Sequence, residues 1–463
     1  MLNLNPIALE ERFKELNKKD KRFFPEIVRG WRGNPVGFCE KILDTTLWSK
    51  QKEIIESVRD NPRTAVRSCS AAGKTAVSAC AVLWFLMAYR PCTVLTTARS
   101  FRQVKEQLWR EIRARYAKSI VPFGGEVTQI GINFEDDWFA LGFSTDEPER
   151  ITGFHNRNVL VVIDEAAGVS DEVYGAIDNP LAAGHTRLLL LGNPTNNIGK
   201  FHDAFAQESY KSFHISAFDT PSFTKEGDFP FLISPQYVEQ KKKEWGEDSP
   251  LYEVYILGNF PSGEGDRLIP FSSAEAAINR EIDTGEMVAM GVDLSRFGED
   301  ESVIYIRKGN KIVDSHFWRK ADTEGCIGRI HTKIKEHNPK IVNVDEGYNP
   351  GVVDGLKELG LPVTAITFQS KASDSETFAN IRAEMWWNLA QLFKRGEISI
   401  PDDKILLKQL TDIKLKDPNK LAQMLIESKE EMKRRGVQSH DRGDALALCF
   451  LESTPLLLRI RWI

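Results

Sequence analysis

From Arg63 to about Ser216 the chain alternates short β-branched runs with helical segments. The runs are Thr64-Ala65-Val66, Thr93-Val94-Leu95-Thr96, Trp138-Phe139-Ala140-Leu141, Val159 to Ile163 and Arg187 to Leu191. Few patterns constrain a fold more, because strands separated by helices pair in parallel and a parallel sheet has to be covered on both faces. The alternation fades near residue 217. Residues 217 to about 284 are rich in proline, glycine and charge, with Lys241-Lys242-Lys243-Glu244 and Pro261-Ser262-Gly263-Glu264-Gly265, the composition of a connecting region. Beyond it, Met287 to Leu294, Ser302 to Arg307 and Lys311 to Trp318 read as three successive strands, with Lys308-Gly309-Asn310 turning between the last two. That is an antiparallel meander. Ile341 to Val344 forms a further strand and Ala445 to Leu451 a late apolar helix. At 463 residues one core is not enough. The expected division is a helical cap over residues 1–45, an α/β domain over 46–245, a linker over 246–284 and a second domain over 285–463 with a mixed sheet.

An apolar share of 41% with 27% charged residues is that of a soluble globular protein. The formal net charge of -5 excludes a chain that is basic throughout, so any surface for nucleic acid is local and offset elsewhere. Cys39, Cys69, Cys80, Cys92, Cys326 and Cys449 form no CxxC pair and have no metal-ligand spacing. They are expected as reduced thiols in a cytosolic compartment. Met1 to Asp20 is polar and lacks an apolar signal core, and no run approaches the roughly 18 apolar residues of a membrane span. The expectation is an intracellular protein that is not secreted and has no membrane partner.

Within the first domain, Ser68-Cys69-Ser70-Ala71-Ala72-Gly73-Lys74-Thr75 follows a strand and opens the apolar stretch Ala76 to Ala88. A phosphate loop works in that context: consecutive backbone N–H groups and a helix N-terminus surround the phosphates, Lys neutralises charge and Ser/Thr holds magnesium. Ser68 stands where the GxxxxGK[ST] pattern has its first glycine, so the match is degenerate by itself. The second element is Val159 to Ile163 running into Asp164-Glu165. It places one carboxylate to hold magnesium through water and a second to polarise the attacking water. Together they read as a nucleoside triphosphatase using ATP and Mg2+. Gln51, with Trp48 nearby, is a candidate for an adenine edge, the alternative being an ordinary amphipathic helix. Asn193, in Leu191-Gly192-Asn193-Pro194-Thr195, is a candidate γ-phosphate sensor, the alternative being a turn. It and Thr96-Thr97-Ala98-Arg99 end strands at the same sheet edge, where open α/β sheets bind ligands. Arg67, Arg99 and Arg150 are candidate arginine fingers. Only one phosphate loop is present, so a translocating version must assemble into a ring.

The second domain distributes carboxylates differently. Gly291-Val292-Asp293 and Val342-Asn343-Val344-Asp345 end strands, and Asp441-Arg442-Gly443-Asp444 puts two carboxylates at i and i+3 on one face of a starting helix. Two-metal phosphodiester cleavage needs three or four carboxylates on rigid elements, with the ions roughly 3.5–4 Å apart. Strand Asp, strand Asp, helix Asp matches the ribonuclease H-like nucleases, with Asp300, Glu301 and Glu346 as alternates. The other reading is a strand-end Asp345 and an N-capping Asp441. His440 is expected at the surface, and Lys429 to Arg435 is singled out as a DNA contact.

The ordered set of motifs resembles the large terminase subunits of tailed bacteriophages. The likeness is carried by Arg67 to Thr75, by Gly153-Phe154-His155 with Val159 to Val169, by Leu191 to Thr195 and by Leu257-Gly258-Asn259-Phe260-Pro261. It continues through Gly291-Val292-Asp293, Val344-Asp345 and Ser439 to Leu448. The fold implied is α/β: an N-terminal P-loop (ASCE/RecA-like) ATPase with a parallel central sheet, and a C-terminal ribonuclease H-like nuclease domain with a mixed sheet. By resemblance Lys74 and Thr75 bind ATP and Mg2+, Asp164 completes that metal site, Glu165 is the catalytic carboxylate, and Asn193 lies in a coupling motif. Asp293, Asp345 and Asp444 would ligate two Mg2+ or Mn2+, with Asp441 a fourth ligand. The implied partners are double-stranded DNA, a portal protein, a small terminase subunit and further copies of the chain in a ring, a pentamer. The place of action would be the host cytoplasm and, transiently, the prohead portal vertex. The rival reading is a helicase-nuclease or resolvase-like enzyme of DNA repair or transposition. A non-catalytic nucleotide switch is disfavoured, since a binding module gains little from desolvating so many carboxylates.

Overall fold

The computed structural model describes residues 30–145, 151–182, 184–262, 267–295, 301–347, 349–416, 423–435, 437 and 439–451. Arg150, Asp300, most of the expected N-terminal cap and the apolar tail from Pro455 lie outside the described residues. The chain divides between Ser262 and Gly263 into two compact units. Residues 246–284, expected as a linker, carry the helices Pro250–Tyr255 in the first unit and Phe271–Ala276 in the second. Both bury apolar side chains, Leu251 and Val254 in one and Phe271 and Ala274 in the other, so they pack as parts of their units.

The first unit is built on strands β1 (Arg63–Ser68), β2 (Cys92–Ala98), β3 (Glu126–Val127), β4 (Gly131–Glu135), β5 (Trp138–Gly142), β6 (Asn158–Asp164), β7 (His185–Gly192) and β8 (Lys211–Ile215), in the order β3-β4-β5-β2-β6-β7-β1-β8. From β5 to β8 every pairing is parallel; β3 and β4 add an antiparallel edge. Every residue of β2 and β6 is buried, the continuous apolar run of a strand covered on both faces. Helix α1 (Ser49–Asp60) precedes β1, and helix α2 (Lys74–Ala88) follows it. All of α2 from Val77 to Ala88 is buried, as expected of a helix that is apolar all round. It stops at Ala88, where Tyr89 turns extended (φ -123°, ψ 133°). Fully buried Trp48, Trp84 and Phe85 fill the space around these two helices.

The second unit holds β9 (Val288–Asp293), β10 (Ser302–Lys308), β11 (Lys311–Trp318), β12 (Ile341–Asp345) and β13 (Thr364–Ile366), ordered β11-β10-β9-β12-β13. The meander is antiparallel, whereas β12 and β13 join in parallel. The sheet is therefore mixed. Helix α5 (Asp441–Phe450) packs on β9, β10 and β12, and α3 (Ile381–Arg395) packs on α5; α4 (Lys429–Arg434) precedes α5 in the chain. Helix α5 presses on β9 so closely that a Cβ at Gly291 would overlap Cys449 N and Ala445 O. Its C-terminal carbonyls are held by β-strand side chains: Asn343 Nδ2 donates to Leu448 O at 2.9 Å and Leu451 O at 2.7 Å, and Arg307 Nε donates to Cys449 O at 2.7 Å. The last carbonyls of a helix lack i+4 partners, and here Leu448 O also takes the C-cap Leu451 N–H at 3.2 Å. All six cysteines are buried free thiols. Among the described residues no helix is long and apolar enough to cross a membrane.

Candidate catalytic sites

In the first unit β1 runs into a loop whose backbone turns twice through left-handed conformations, at Ala71 (φ 50°) and Gly73 (φ 82°), before α2 starts at Lys74. Lys74 Nζ donates to Ser68 Oγ at 3.2 Å and Cys69 O at 3.4 Å. Both acceptors are neutral, so the ammonium charge is not cancelled. Thr75 Oγ1 donates to Asp164 Oδ2 at 3.2 Å, which joins the loop to the end of β6. Asp164 is only 4% exposed. Burial, and then the Glu165 carboxylate beside it, push its pKa up to about 6 against the pull of Lys74. Glu165 itself sits at φ 49°, ψ 44°, a left-handed conformation that a non-glycine residue holds at a cost of about 1–3 kcal/mol and that clusters at functional sites.

The flanking candidates also reach the loop. Asn193 Nδ2 donates to Ser68 O at 2.7 Å, so Asn193 touches the first loop residue. Gln51 Nε2 donates to Gly73 O at 2.9 Å, and its Oε1 accepts from Trp48 N at 3.3 Å. Gln51 thus bonds the loop backbone and the start of its own helix. Arg67 points Nη1 at Gly258 O and Asn259 Oδ1, both 3.3 Å away, with its guanidinium over Phe260 and Phe205. Burial lowers its pKa. Arg99 packs on Gly168, where an added Cβ would come within 2.5 Å of Arg99 Cδ, beside the 3-10 turn that follows Glu165. The Cys69 thiol is pushed up to about 12 by burial.

In the second unit the parallel register of β9 and β12, with Val292 opposite Val344, brings Asp293 and Asp345 to the same sheet end. Helix α5 adds Asp441 and Asp444. All four are buried. Burial raises Asp293 well above the usual carboxylate range; Lys429 opposes the rise, and Asp444, Asp345 and Asp441 add to it. Asp345 is raised by burial, against an N–H bond from Gly347 at 3.1 Å. Asp444 behaves oppositely. Burial pushes it up, but Lys429, Arg382 and Trp386 outweigh that and hold it well below the usual range. Its Oδ1 accepts from Trp386 Nε1 at 2.8 Å and Arg382 Nε at 3.4 Å, and its Oδ2 lies 3.0 Å from Lys429 Nζ.

Three expectations change. Lys429, read as a DNA contact, turns its ammonium onto Asp444. His440, read as a surface residue, is buried, and burial lowers its pKa to about 4. Glu301, read as an alternate ligand, accepts from Arg442 Nε and Nη2 at 2.9 Å and from Arg319 at 3.2 Å, while its N–H donates to Asp441 Oδ2 at 3.0 Å. It braces the cluster from outside. The bonds from Trp386 and Arg382 to Asp444 were not anticipated: the two lie 58 and 62 residues from it, and no local pattern links them to it.

No family model matches the chain. The curated protein named "Probable terminase, large subunit" of Enterobacteria phage P7 is 24% identical over 465 residues, covering 92% of both chains. The large terminase from a thermophilic bacteriophage aligns over 87% of this chain and 98% of its own, at 14% identity and a TM-score of 0.43. The nuclease domain of the large terminase subunit gp2 of bacterial virus Sf6 covers 39% of this chain and 97% of its own, at 22% identity and a TM-score of 0.34. Along nearly its whole length the chain is therefore similar to a curated protein named as a large terminase subunit, in line with the resemblance carried by the ordered motifs.

Proposed function

We propose that this chain is a large terminase subunit that drives double-stranded viral DNA into a prohead by ATP hydrolysis and cuts the DNA concatemer with a separate metal-dependent endonuclease. The observation that carries the reading is the pairing, in one chain, of an uncancelled lysine in a phosphate loop with a buried cluster of four carboxylates. Lys74, the N–H groups at the start of α2 and Thr75 would receive the triphosphate, as helix N-termini receive anions. Thr75 and Asp164 fit a magnesium site, since the two side chains already meet and Asp164 is raised by burial and by like charge. Glu165 would orient and deprotonate the attacking water, and Asn193, bonded to Ser68, would report the phosphate state to β7.

The carboxylate cluster also fits divalent cations: its members crowd like charges together enough to add to the rise of Asp293, a repulsion that a cation relieves. Asp293, Asp345 and Asp444 would ligate the ions, with Asp441 a fourth ligand. When bound, such ions neutralise the phosphodiester and lower the pKa of the attacking water. The protein's own part is to hold the carboxylates rigidly: β9 and β12 fix two, and Trp386 and Arg382 fix Asp444. The further partners would be a portal protein, a small terminase subunit and copies of the chain in a ring, in the host cytoplasm.

The test is cleavage of linear and supercoiled plasmid with magnesium or manganese, alongside ATP turnover. Asp293→Ala is expected to abolish cutting, and Lys74→Ala to abolish turnover while cutting persists. ATP use stimulated by linear duplex supports packaging, whereas preferential resolution of branched DNA would move the reading to a repair or transposition enzyme.

A further inference from the structure

Leu257-Gly258-Asn259-Phe260 has no role in the chemistry above, yet it is built against the phosphate loop. The chain leaves the helix Pro250–Tyr255 and is turned back by Leu257 N–H to Tyr252 O at 3.0 Å and Asn259 N–H to Glu253 O at 2.8 Å. Along the sheet edge it bonds β8 and the residues after it: His214 Nε2 donates to Leu257 O, and Ala217 N to Ile256 O, each at 2.8 Å. Tyr255 O accepts from Ser70 N at 2.9 Å, within the loop itself, while Cys69 N donates to Ile215 O at 2.8 Å. Gly258 is left-handed (φ +66°), and a Cβ there would come within 2.5 Å of Ile215 O, 2.9 Å of Cys69 N and 3.0 Å of Ser68 C. Only glycine lets the segment lie this close to the loop backbone. Its carbonyl and the Asn259 side chain then take Arg67, the residue immediately before the loop, and the Phe260 ring lies 5.3 Å from that guanidinium.

We propose that this segment is a positioning element for the phosphate loop, with Asn259 acting on bound nucleotide through Arg67. Ile215 O and Tyr255 O, which flank the segment, take the N–H groups at the loop's entrance, and the segment clamps Arg67, the residue from which the loop springs, so the loop is shaped before nucleotide arrives. Preorganisation of that kind acts on affinity, because ordering is no longer required at binding. Arg67 is bonded by two acceptors and packed over two rings in this arrangement, which makes it a strut for the loop. The inference rests on the reading of the loop as an ATP site.

The experiment measures KM and kcat for ATP in the full chain for wild type, Asn259→Ala, Asn259→Asp, Gly258→Ala and Lys74→Ala. Loss of one bond to a charged group predicts about a 5- to 10-fold rise in KM for Asn259→Ala, with kcat within about 2-fold. Asn259→Asp keeps an acceptor for Arg67 and is expected to return KM to within about 2-fold of wild type, a rescue that a purely structural defect would not show. Gly258→Ala, which needs backbone displacement, should raise KM further; if that variant does not fold, the Asn259 pair carries the test. Unchanged KM in Asn259→Ala, with turnover still dependent on Lys74, overturns the positioning role alone. Turnover that survives Lys74→Ala overturns the ATP-site reading and the inference with it.

Discussion

The two units solve opposite electrostatic problems. The first is arranged to receive an anion: Lys74 rests on a hydroxyl and a carbonyl oxygen, and its charge is left for the ligand. The second collects anions, and there the protein supplies counter-ions of its own, Lys429 and Arg382, both directed at Asp444. The consequence is visible in the acids themselves. Asp164 has one carboxylate neighbour and is raised to about 6. In the second unit the cations concentrate on one member, so Asp444 is held low while Asp293 is pushed high. Burial alone does not set a carboxylate's state; which neighbour the fold points at it does.

The contrast breaks most sharply if the sites prove interdependent. Asp293→Ala should reduce cleavage on the order of 100-fold or more while leaving ATP turnover within about 2-fold. A matching fall in turnover would mean that the sites do not act separately. Next in size is Gly291→Ala, which forces β9 and α5 apart where backbone meets backbone. It should destabilise the second unit by about 3 kcal/mol, read as a lowered melting transition, and leave nucleotide binding to the first unit intact. Trp386→Phe keeps an aromatic ring, though a smaller one, and removes the donor to Asp444 Oδ1; a loss of about 10-fold in cleavage or manganese affinity is expected for a group that orients a ligand. An unchanged metal titration would show that Arg382 suffices.

The smallest effect concerns pH and the first unit only. His185 lies stacked on Phe85 and Tyr89, and burial, reinforced by Arg187 and Arg32, lowers its pKa to about 4 from the usual 6.5. Its folded value is depressed, so the unfolded chain binds the proton more readily. The associated stability is present above 6.5 and is lost as pH falls from there towards 4. His185→Phe should flatten that part of the stability-versus-pH curve; an unchanged slope would assign it to other groups. The effect is modest because the imidazole is partly solvated.

Much of the scaffold was legible because parallel strands buried on both faces leave unbroken apolar runs, as β6 does from Val159 to Ile163. β13 was not read: it has three residues and follows Pro362, too short for any period to show. β3, β4 and β8 sit towards the sheet's ends, where most of their residues are exposed or half-buried and no unbroken apolar run marks them. At the sites, the identities of the carboxylates and of the loop lysine could be read from strand ends and helix starts. Their surroundings could not. Nothing local in Lys429-Glu430-Glu431-Met432-Lys433-Arg434 marks the first lysine as the one that faces Asp444, and nothing near Gln51 tells that its amide bonds Gly73 O.

By itself the sequence determined the order of the long buried strands, the loop Ser68 to Thr75 and the placing of each acid at the end of a rigid element, because these depend on neighbours within a few residues. Only the tertiary structure decided which charge each acid faces, that Trp386 and Arg382 hold Asp444, and that Gly258 and Asn259 brace a loop nearly two hundred residues earlier in the chain. Such pairings are chosen by packing, where the sheet register and the room left by a missing Cβ bring distant residues together. No local propensity encodes them.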